Sequence, residues 1–377
     1  MIKVCHIVNI ITGKSDGVYK HLKMIFALSD RNKFEHFLIF HGNKKIEDEL
    51  KAMGIRVYTV NSLDRKFSIL TFIKIYSIII QNNPDIIQTH LIKPYAIAGL
   101  LNIFLRKKFI FNYHGIFISG NTYYNFLEKS IYQVLHYLIC FFKAVNVVLV
   151  PSEKSKKLLK SQTKLFPDPI VYYNGYHCPE AAEFDDKIIK IIRLIKNESI
   201  IIAVVGRLER QKRIDRALML ISKMKSEGAN IHLLIFGDGR LKAKLKRLAS
   251  NLGTADSVSF FDFVPNVESY FKYFDILLFT SEFEGLPLTV WEAMANEIPI
   301  VAPDVGGFKE IIEENNCGLI FEPENLADAK EKLTVLLRDQ GLRKKLAENG
   351  KAAVENKYNA KNLIRVIEEI YNSLLNK

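Results

Sequence analysis

Residues 274–295 read FDILLFTSEFEGLPLTVWEAMA, and this stretch contains a complete structural unit. Ile276–Phe279 is a short, continuous apolar run, the pattern of a strand covered on both faces. The next eight residues, TSEFEGLP, mix polar residues with Gly285 and Pro287, which marks a loop. Pro287 suits the first position of a helix, where a missing N–H costs nothing. The helix it opens carries Glu292 on its second turn. Strand, loop and helix in this order form half of a parallel βαβ unit.

Reading outward, the same alternation fills the chain. Apolar strands are predicted at Lys3–Ile10, His36–Phe40, Val57–Val60, Ile86–Gln88, Phe109–Asn112 and Val147–Val150. They recur at Ile200–Val205, Ile231–Phe236, Val258–Phe261, Ile276–Phe279, Ile300–Ala302 and Gly318–Phe321. Helical stretches such as Val18–Leu28, Arg213–Lys225, Leu241–Leu252 and Leu326–Leu337 lie between them. About six strands in each half predict an α/β protein of two doubly wound, Rossmann-like domains. With 377 residues, each domain can bury its own core. The turn at Asn174-Gly175, then Pro179 and an acidic run, predict a first domain at 1–178 and a second at 179–357. Residues 358–377 read as an amphipathic helix with Leu363, Val366, Ile367, Ile370 and Leu374 on one face. Ligands of such sheets bind beyond the carboxyl ends of the strands, so the cleft between two such domains is the expected site.

Composition removes several classes. The 25 Phe, 16 Tyr and abundant aliphatic residues exclude a disordered chain, and 19 Gly with 11 Pro exclude a collagenous one. Cys5, Cys140, Cys178 and Cys317 have neither metal-ligand spacing nor the density of a disulfide framework, which predicts thiols in a reducing cytosol. The opening MIKVCHIVNIITG lacks a small-residue cleavage site and reads as a first strand, not a signal peptide. Residues 131–150 have spanning length but contain Gln133, His136, Lys143 and Asn146. A helix followed by the strand NVVLV is the better reading.

Charge is lopsided. Residues 1–178 carry 24 Lys+Arg against 11 Asp+Glu, a net of +13, while the remainder nets −1. The first half therefore faces something anionic. No nucleic-acid module accompanies the charge, so no nucleic-acid partner is expected. D-x-D, H-E-x-x-H and clustered cysteines are also absent, so the sequence requires no metal. Nor is there a G-x-S-x-G elbow.

Four constellations remain. Gly13-Lys14-Ser15-Asp16-Gly17 lies between the first strand and its helix, where glycines permit close approach and a helix N-terminus offers N–H groups to an anion. It is neither G-x-G-x-x-G nor a Walker loop, and a simple tight turn is the plain alternative. Gly206–Arg213, GRLERQKR, follows a strand and could grip a diphosphate with Arg207 and Lys212. A solvated basic cap is its plain alternative. In the opening stretch, the amides of Leu288, Thr289 and Val290 form an anion cradle flanked by Glu284 and Glu292. An anion site with two carboxylates suits a ligand that also offers hydroxyls, and a nucleoside diphosphate sugar supplies every piece. Tyr113-His114-Gly115 ends a strand of the first half, and His90 is similarly placed.

Together these residues resemble family 4 of the retaining glycosyltransferases, which have the GT-B fold. Glu284 and Glu292 form the family's E-x7-E. GRLERQK, LIFGDGR, the opening stretch and VAPDVGGFKEII stand around it in the family's order. PDIIQTHL, NYHG and VPSEKSK are weaker likenesses in the first half. The resemblance implies that Arg207 and Lys212 hold the donor diphosphate, Glu292 the ribose hydroxyls and Glu284 the transferred sugar. The amides of Leu288 and Thr289 would meet the distal phosphate, as would Gly17 from the other domain, where Gly13 also belongs to the donor-binding set. His114 would bond the donor sugar near the reacting carbon. Phe263 and Val264 would lie beside the base, and the final helix would pack back on the first domain.

Transfer would proceed with retention by a front-face route, from a UDP-sugar, without cofactor or obligatory metal. The acceptor would be a glycan or lipid-linked sugar in capsule, exopolysaccharide or lipopolysaccharide synthesis. Two departures from the family pattern stand out. Arg213 replaces a frequent Gly and is expected to be tolerated on a helix, and Asp262 replaces another before the base-binding turn. The competing readings are a sugar-nucleotide epimerase and a non-catalytic nucleotide-sugar-binding partner of another transferase. The basic half, with apolar helices at Lys66–Ile80 and Tyr123–Phe142, predicts a cytoplasmic protein docked on the anionic inner face of the cell membrane. The alternative is that these helices pack in the core and the charge only aids solubility.

Overall fold

The computed structural model describes residues 1–11, 13, 16–63, 68–114, 126–177, 185–264 and 266–376. The chain divides into two compact units, Met1–Asn174 with Ala360–Lys377, and Gly175–Asn359. The expected boundary at 178/179, with Cys178 and Pro179, lies outside the described residues.

In the first unit, β1 (Ile2–Val8), β2 (Phe34–Phe40), β3 (Arg56–Thr59), β4 (Ile86–His90), β5 (Lys108–Asn112), β6 (Val147–Val150) and β7 (Ile170–Val171) form one parallel sheet. Its order is β3-β2-β1-β4-β5-β6-β7. The two-residue β7 is an addition to the predicted strands, since it follows Pro167 and Pro169 and is too short to give a pattern. In the second unit, β8 (Ile200–Val205), β9 (Ile231–Phe236), β10 (Val258–Phe261), β11 (Ile276–Leu278), β12 (Ile300–Pro303) and β13 (Gly318–Phe321) form another parallel sheet, ordered β10-β9-β8-β11-β12-β13. The two doubly wound α/β sheets expected from the alternation are therefore present. Their central strands are buried on both faces because helices cover both, although β1, β2 and β4 also bury the polar side chains of His6, His36, Gln88, Thr89 and His90.

Each sheet reverses its winding direction once, between β1 and β4 in the first unit and between β8 and β11 in the second. Loops leaving the carboxyl ends of these neighbours diverge and open a crevice, the usual ligand position in open α/β sheets. The candidate residues lie beside these points, after β1, β4 and β5 and after β8 and β11.

The final helix, Ala360–Leu375, belongs to the first unit. Its Leu363, Ile364, Ile367, Ile370, Tyr371 and Leu374 pack among Val4, Tyr19, Phe34 and Leu38. The 131–150 segment is a helix, Phe126–Phe141, and the strand β6. Among the described residues no helix is long and apolar enough to cross a membrane. Cys5, Cys140 and Cys317 are free thiols.

Candidate functional site

In the second unit, β8 ends at Val205 and the chain turns through Gly206 and Arg207 into a short 3-10 helix, Arg210–Lys212. The loop after β9 packs backbone to backbone against this turn. Gly206 N–H donates to the Phe236 carbonyl at 3.0 Å, and Leu208 N–H to that of Asp238 at 2.9 Å. Contact is so close that a Cβ on Gly237, at φ +145°, would lie 2.0 Å from the Gly206 oxygen. Only glycine fits there, which explains LIFGDGR beside GRLERQK. Glu209 accepts the Arg240 guanidinium at 3.2 Å, and that hydrogen bond holds its carboxyl below the ordinary range.

The loop after β11 meets the same turn. Lys212 Nζ lies 2.6 Å from Glu284 Oε1, and the two side chains are only 15% and 7% exposed. Gln211 clamps the pair from one side. Its Nε2 donates to the Phe283 carbonyl at 3.0 Å and lies 3.5 Å from Glu284 Oε2. From beneath, Thr280 Oγ1 donates to the Lys212 carbonyl at 2.9 Å. Neither Gln211 nor Thr280 was assigned a role from sequence. Gln211 adjoins Lys212 in the basic run, but its amide carries no charge to draw notice. A third loop, after β12, supports Glu284 from behind. Gly307 N–H donates to the Gly285 carbonyl at 2.8 Å. Gly306, at φ +55°, would bring a Cβ within 2.3 Å of the Glu284 oxygen.

The helix after this loop is Leu288–Ala295. Pro287 is its N-cap, not its first residue, with φ −71° and ψ 145°. A further correction concerns the cradle. Val290 N–H already donates to the Pro287 carbonyl at 3.1 Å, a bond that tightens the first turn. The amides of Leu288 and Thr289 have no backbone acceptor among the described residues. Glu292 is buried one turn on, beside Trp291, whose ring packs at a tilt against that of Tyr358 with 4.5 Å between centroids. Arg207 is exposed on its loop. Phe263 is 49% exposed, Val264 half-buried, and Pro265 lies outside the described residues. Asp262 forms an ion pair with Lys242.

Arg213 departs from expectation. It is not on a helix: it has φ 46° and ψ 44° and caps the helix Ile214–Ser226 from the left-handed region. Such a conformation costs a non-glycine residue about 1–2 kcal/mol. Its guanidinium offsets part of this by gripping Asp215, Nη2 to Oδ2 at 2.9 Å. The frequent Gly at this position thus has a backbone reason.

In the first unit, Gly13 begins the turn after β1; Lys14 and Ser15 lie outside the described residues. Asp16 caps the helix Gly17–Leu28, accepting from the amides of Val18 at 2.9 Å and Tyr19 at 3.3 Å. The expectation of free amides here is corrected, since the Asp16 carboxylate takes two of them and leaves that of Gly17. His114 follows β5, with Gly115 outside the described residues. Burial lowers its pKa to about 4, opposed in part by the Asp16 charge. The imidazole is therefore neutral near pH 7. Among the described residues no group of three or more His, Cys, Asp or Glu is arranged to hold a metal ion.

The family described as Glycosyl transferases group 1 matches residues 185–353, and Glycosyltransferase Family 4 matches residues 17–178. The Staphylococcus aureus protein described as "Capsular polysaccharide biosynthesis glycosyltransferase CapM" is 23% identical over 266 residues. That match covers 65% of this chain and 66% of CapM, just under two thirds of that relative. Among solved structures, a glycosyltransferase from Rickettsia africae superposes with a TM-score of 0.81 at 21% identity, covering 99% of this chain and 98% of that one. Anabaena Alr3699/HepE in complex with UDP-glucose superposes with a TM-score of 0.79 at 16% identity, covering 99% and 100%.

Proposed function

Because the chain belongs to the group 1, family 4 glycosyltransferases, retaining enzymes of GT-B fold, we propose that it transfers a sugar from a UDP-sugar to a glycan or lipid-linked acceptor. Capsule, exopolysaccharide or lipopolysaccharide synthesis is the setting. The observation that carries this reading is the mostly buried Lys212–Glu284 pair at the switch point of the second sheet, with Glu284 in the loop that precedes the helix bearing Glu292. A cation paired with one carboxylate, followed by a helix start with two amides and a second carboxylate one turn on, suits a ligand with a diphosphate and several hydroxyls. HepE, a structural neighbour, binds UDP-glucose, and CapM acts in capsule synthesis.

Arg207 and Lys212 neutralise charge that develops on the leaving diphosphate, with the Leu288 and Thr289 amides at its distal phosphate. Glu284 accepts from the transferred sugar, Glu292 from the ribose, and Phe263 with Val264 borders the base. His114, being neutral, hydrogen-bonds the sugar and takes no proton from the acceptor. That proton goes to the departing phosphate on the same face, which preserves the anomeric configuration. No residue of this set calls for a metal.

Calorimetry with UDP, GDP and ADP in EDTA, on wild type and Glu292→Ala, tests the donor site. UDP should bind selectively and Glu292→Ala should weaken it. No binding of any of the three would remove the proposal.

Membrane docking belongs to the same reading. The helices Ile69–Asn82, Ile92–Leu105 and Phe126–Phe141 pack side by side on one face of the first sheet. They turn Ile69, Ile73, Phe104, Phe126, Val134 and Phe141 to solvent, Phe126 being 87% exposed. Lys74, Arg106 and Lys143 are exposed with them. Exposed apolar and basic residues on three neighbouring helices suit an anionic bilayer carrying the acceptor. Co-sedimentation with phosphatidylglycerol vesicles should be strong at low salt and reduced by Phe126→Ser/Phe141→Ser. Absence of binding at low salt would exclude it.

A further inference from the structure

Four histidines lie in a line across the first sheet, and the strand register explains why. His36 on β2 pairs with Val4 of β1; His6 is two residues further along β1; His90 on β4 pairs with Val8. His90 in turn pairs with Asn112 on β5, and His114 is two residues beyond. Each step moves one strand across and two residues along. Because side chains alternate with period two, every step stays on the same face of the sheet. The rings meet end to end. His114 Nε2 is 3.3 Å from His90 Nδ1, His90 Nε2 is 3.4 Å from His6 Nδ1, and His6 Nε2 is 3.0 Å from His36 Nδ1.

A neutral imidazole has one N–H and one bare nitrogen. Burial disfavours the charged form of all four. Every contact joins an Nε2 to an Nδ1, so all three hydrogen bonds form together in only two ways. Either every ring carries its proton on Nε2, or every ring carries it on Nδ1. The far end chooses between them. His36 Nε2 is buried with no hydrogen-bond partner among the described residues. A proton there would be an orphaned donor, a rarer defect in proteins than an unsatisfied acceptor.

We propose that this chain sets the tautomer of His114, so that Nε2 is an acceptor locked to His90 and Nδ1–H is the donor left for a ligand oxygen. His90, His6 and His36 are then positioning residues, two of which never touch His114. The consequence for transfer rests on the assignment of His114 to the donor sugar; the tautomer itself does not.

The test is a two-bond ¹H–¹⁵N spectrum of the full chain labelled in histidine, assigned with single variants. At pH 7.5, His6, His36, His90 and His114 should all show Nδ1–H, against the Nε2–H preference of free neutral imidazole. Nε2–H or imidazolium at His90 or His114 overturns the proposal. In His6→Phe, the His114 signal should shift toward Nε2–H and turnover of UDP-sugar should fall about tenfold in kcat with KM little changed. His6→Gln, whose amide both donates and accepts, should restore much of both. An unchanged His114 tautomer in a folded His6→Phe protein also overturns it; if that variant fails to fold, the wild-type spectrum decides alone. A shifted tautomer with unaltered turnover would uphold the chain and remove His114 from the donor site.

Discussion

Acidification should unfold the first unit well before its carboxylates are neutralised, and the size of the effect follows from its histidines. Burial lowers His21 to about 3 and His36 to about 4, and pushes His6 and His90 well below their ordinary value. In the unfolded chain each would titrate near 6.5. Between pH 6.5 and 4 the unfolded state therefore takes up protons that the native state refuses. Stability is complete above about pH 6.5 and is lost as pH falls toward 4. At pH 5, His21 and His36 alone each remove about 2 kcal/mol, a total comparable to the lower end of domain stabilities. His6 and His90 act in the same direction. Urea unfolding at pH 8, 7, 6 and 5 measures this, with circular dichroism reporting both units. The single tryptophan, Trp291, reports the second unit alone. The dichroism midpoint should fall steeply below pH 6.5 while the fluorescence midpoint moves little. A flat dichroism midpoint from pH 7 to 5, or an acid shift confined to fluorescence, would refute the reasoning.

Breaking the Lys212–Glu284 pair with Glu284→Ala leaves a mostly buried ammonium unpaired and should cost roughly 3 kcal/mol in urea unfolding. Lys212→Met/Glu284→Met should recover most of that stability and none of the UDP-sugar turnover, which separates the structural role of the pair from the chemical one. Gly306→Ala must push back the Glu284 and Gly285 carbonyls, at 2.3 and 2.4 Å from its Cβ. It should weaken UDP-sugar binding at least tenfold by displacing the Glu284 loop, and calorimetry reads this directly. Arg213→Gly relieves the left-handed backbone that Arg213→Ala retains, so the glycine variant should be the more stable by about 1 kcal/mol in urea. Equal stabilities would contradict that explanation.

Most of the architecture was legible because a buried parallel strand announces itself as an apolar run. Ile200–Val205, Ile231–Phe236, Val258–Phe261 and Gly318–Phe321 have the bounds read from the sequence. What failed was local backbone chemistry that no periodicity records. Arg213 looked helical because basic residues are good helix formers, yet the chain needs a left-handed turn there to leave the 3-10 helix. Pro287 looked like a first helical residue and is a cap. Asp16 looked like one polar residue among several, and its carboxylate occupies the helix start that an anion was expected to use.

The histidine line shows a different limit. His114 and His90 drew attention one at a time because each ends a strand, while His6 and His36 are interior strand residues, where a histidine is ordinarily taken for a polar residue satisfied in the core. Nothing in a linear reading says that residues 36, 6, 90 and 114 are neighbours. That requires the strand order β2-β1-β4-β5 together with a stagger of two residues at each step. Had any one strand slipped by a single residue, its histidine would face the other side of the sheet and the line would be broken. Register, which composition and periodicity do not encode between strands distant in sequence, is thus what converts four unremarkable core residues into one connected element reaching His114.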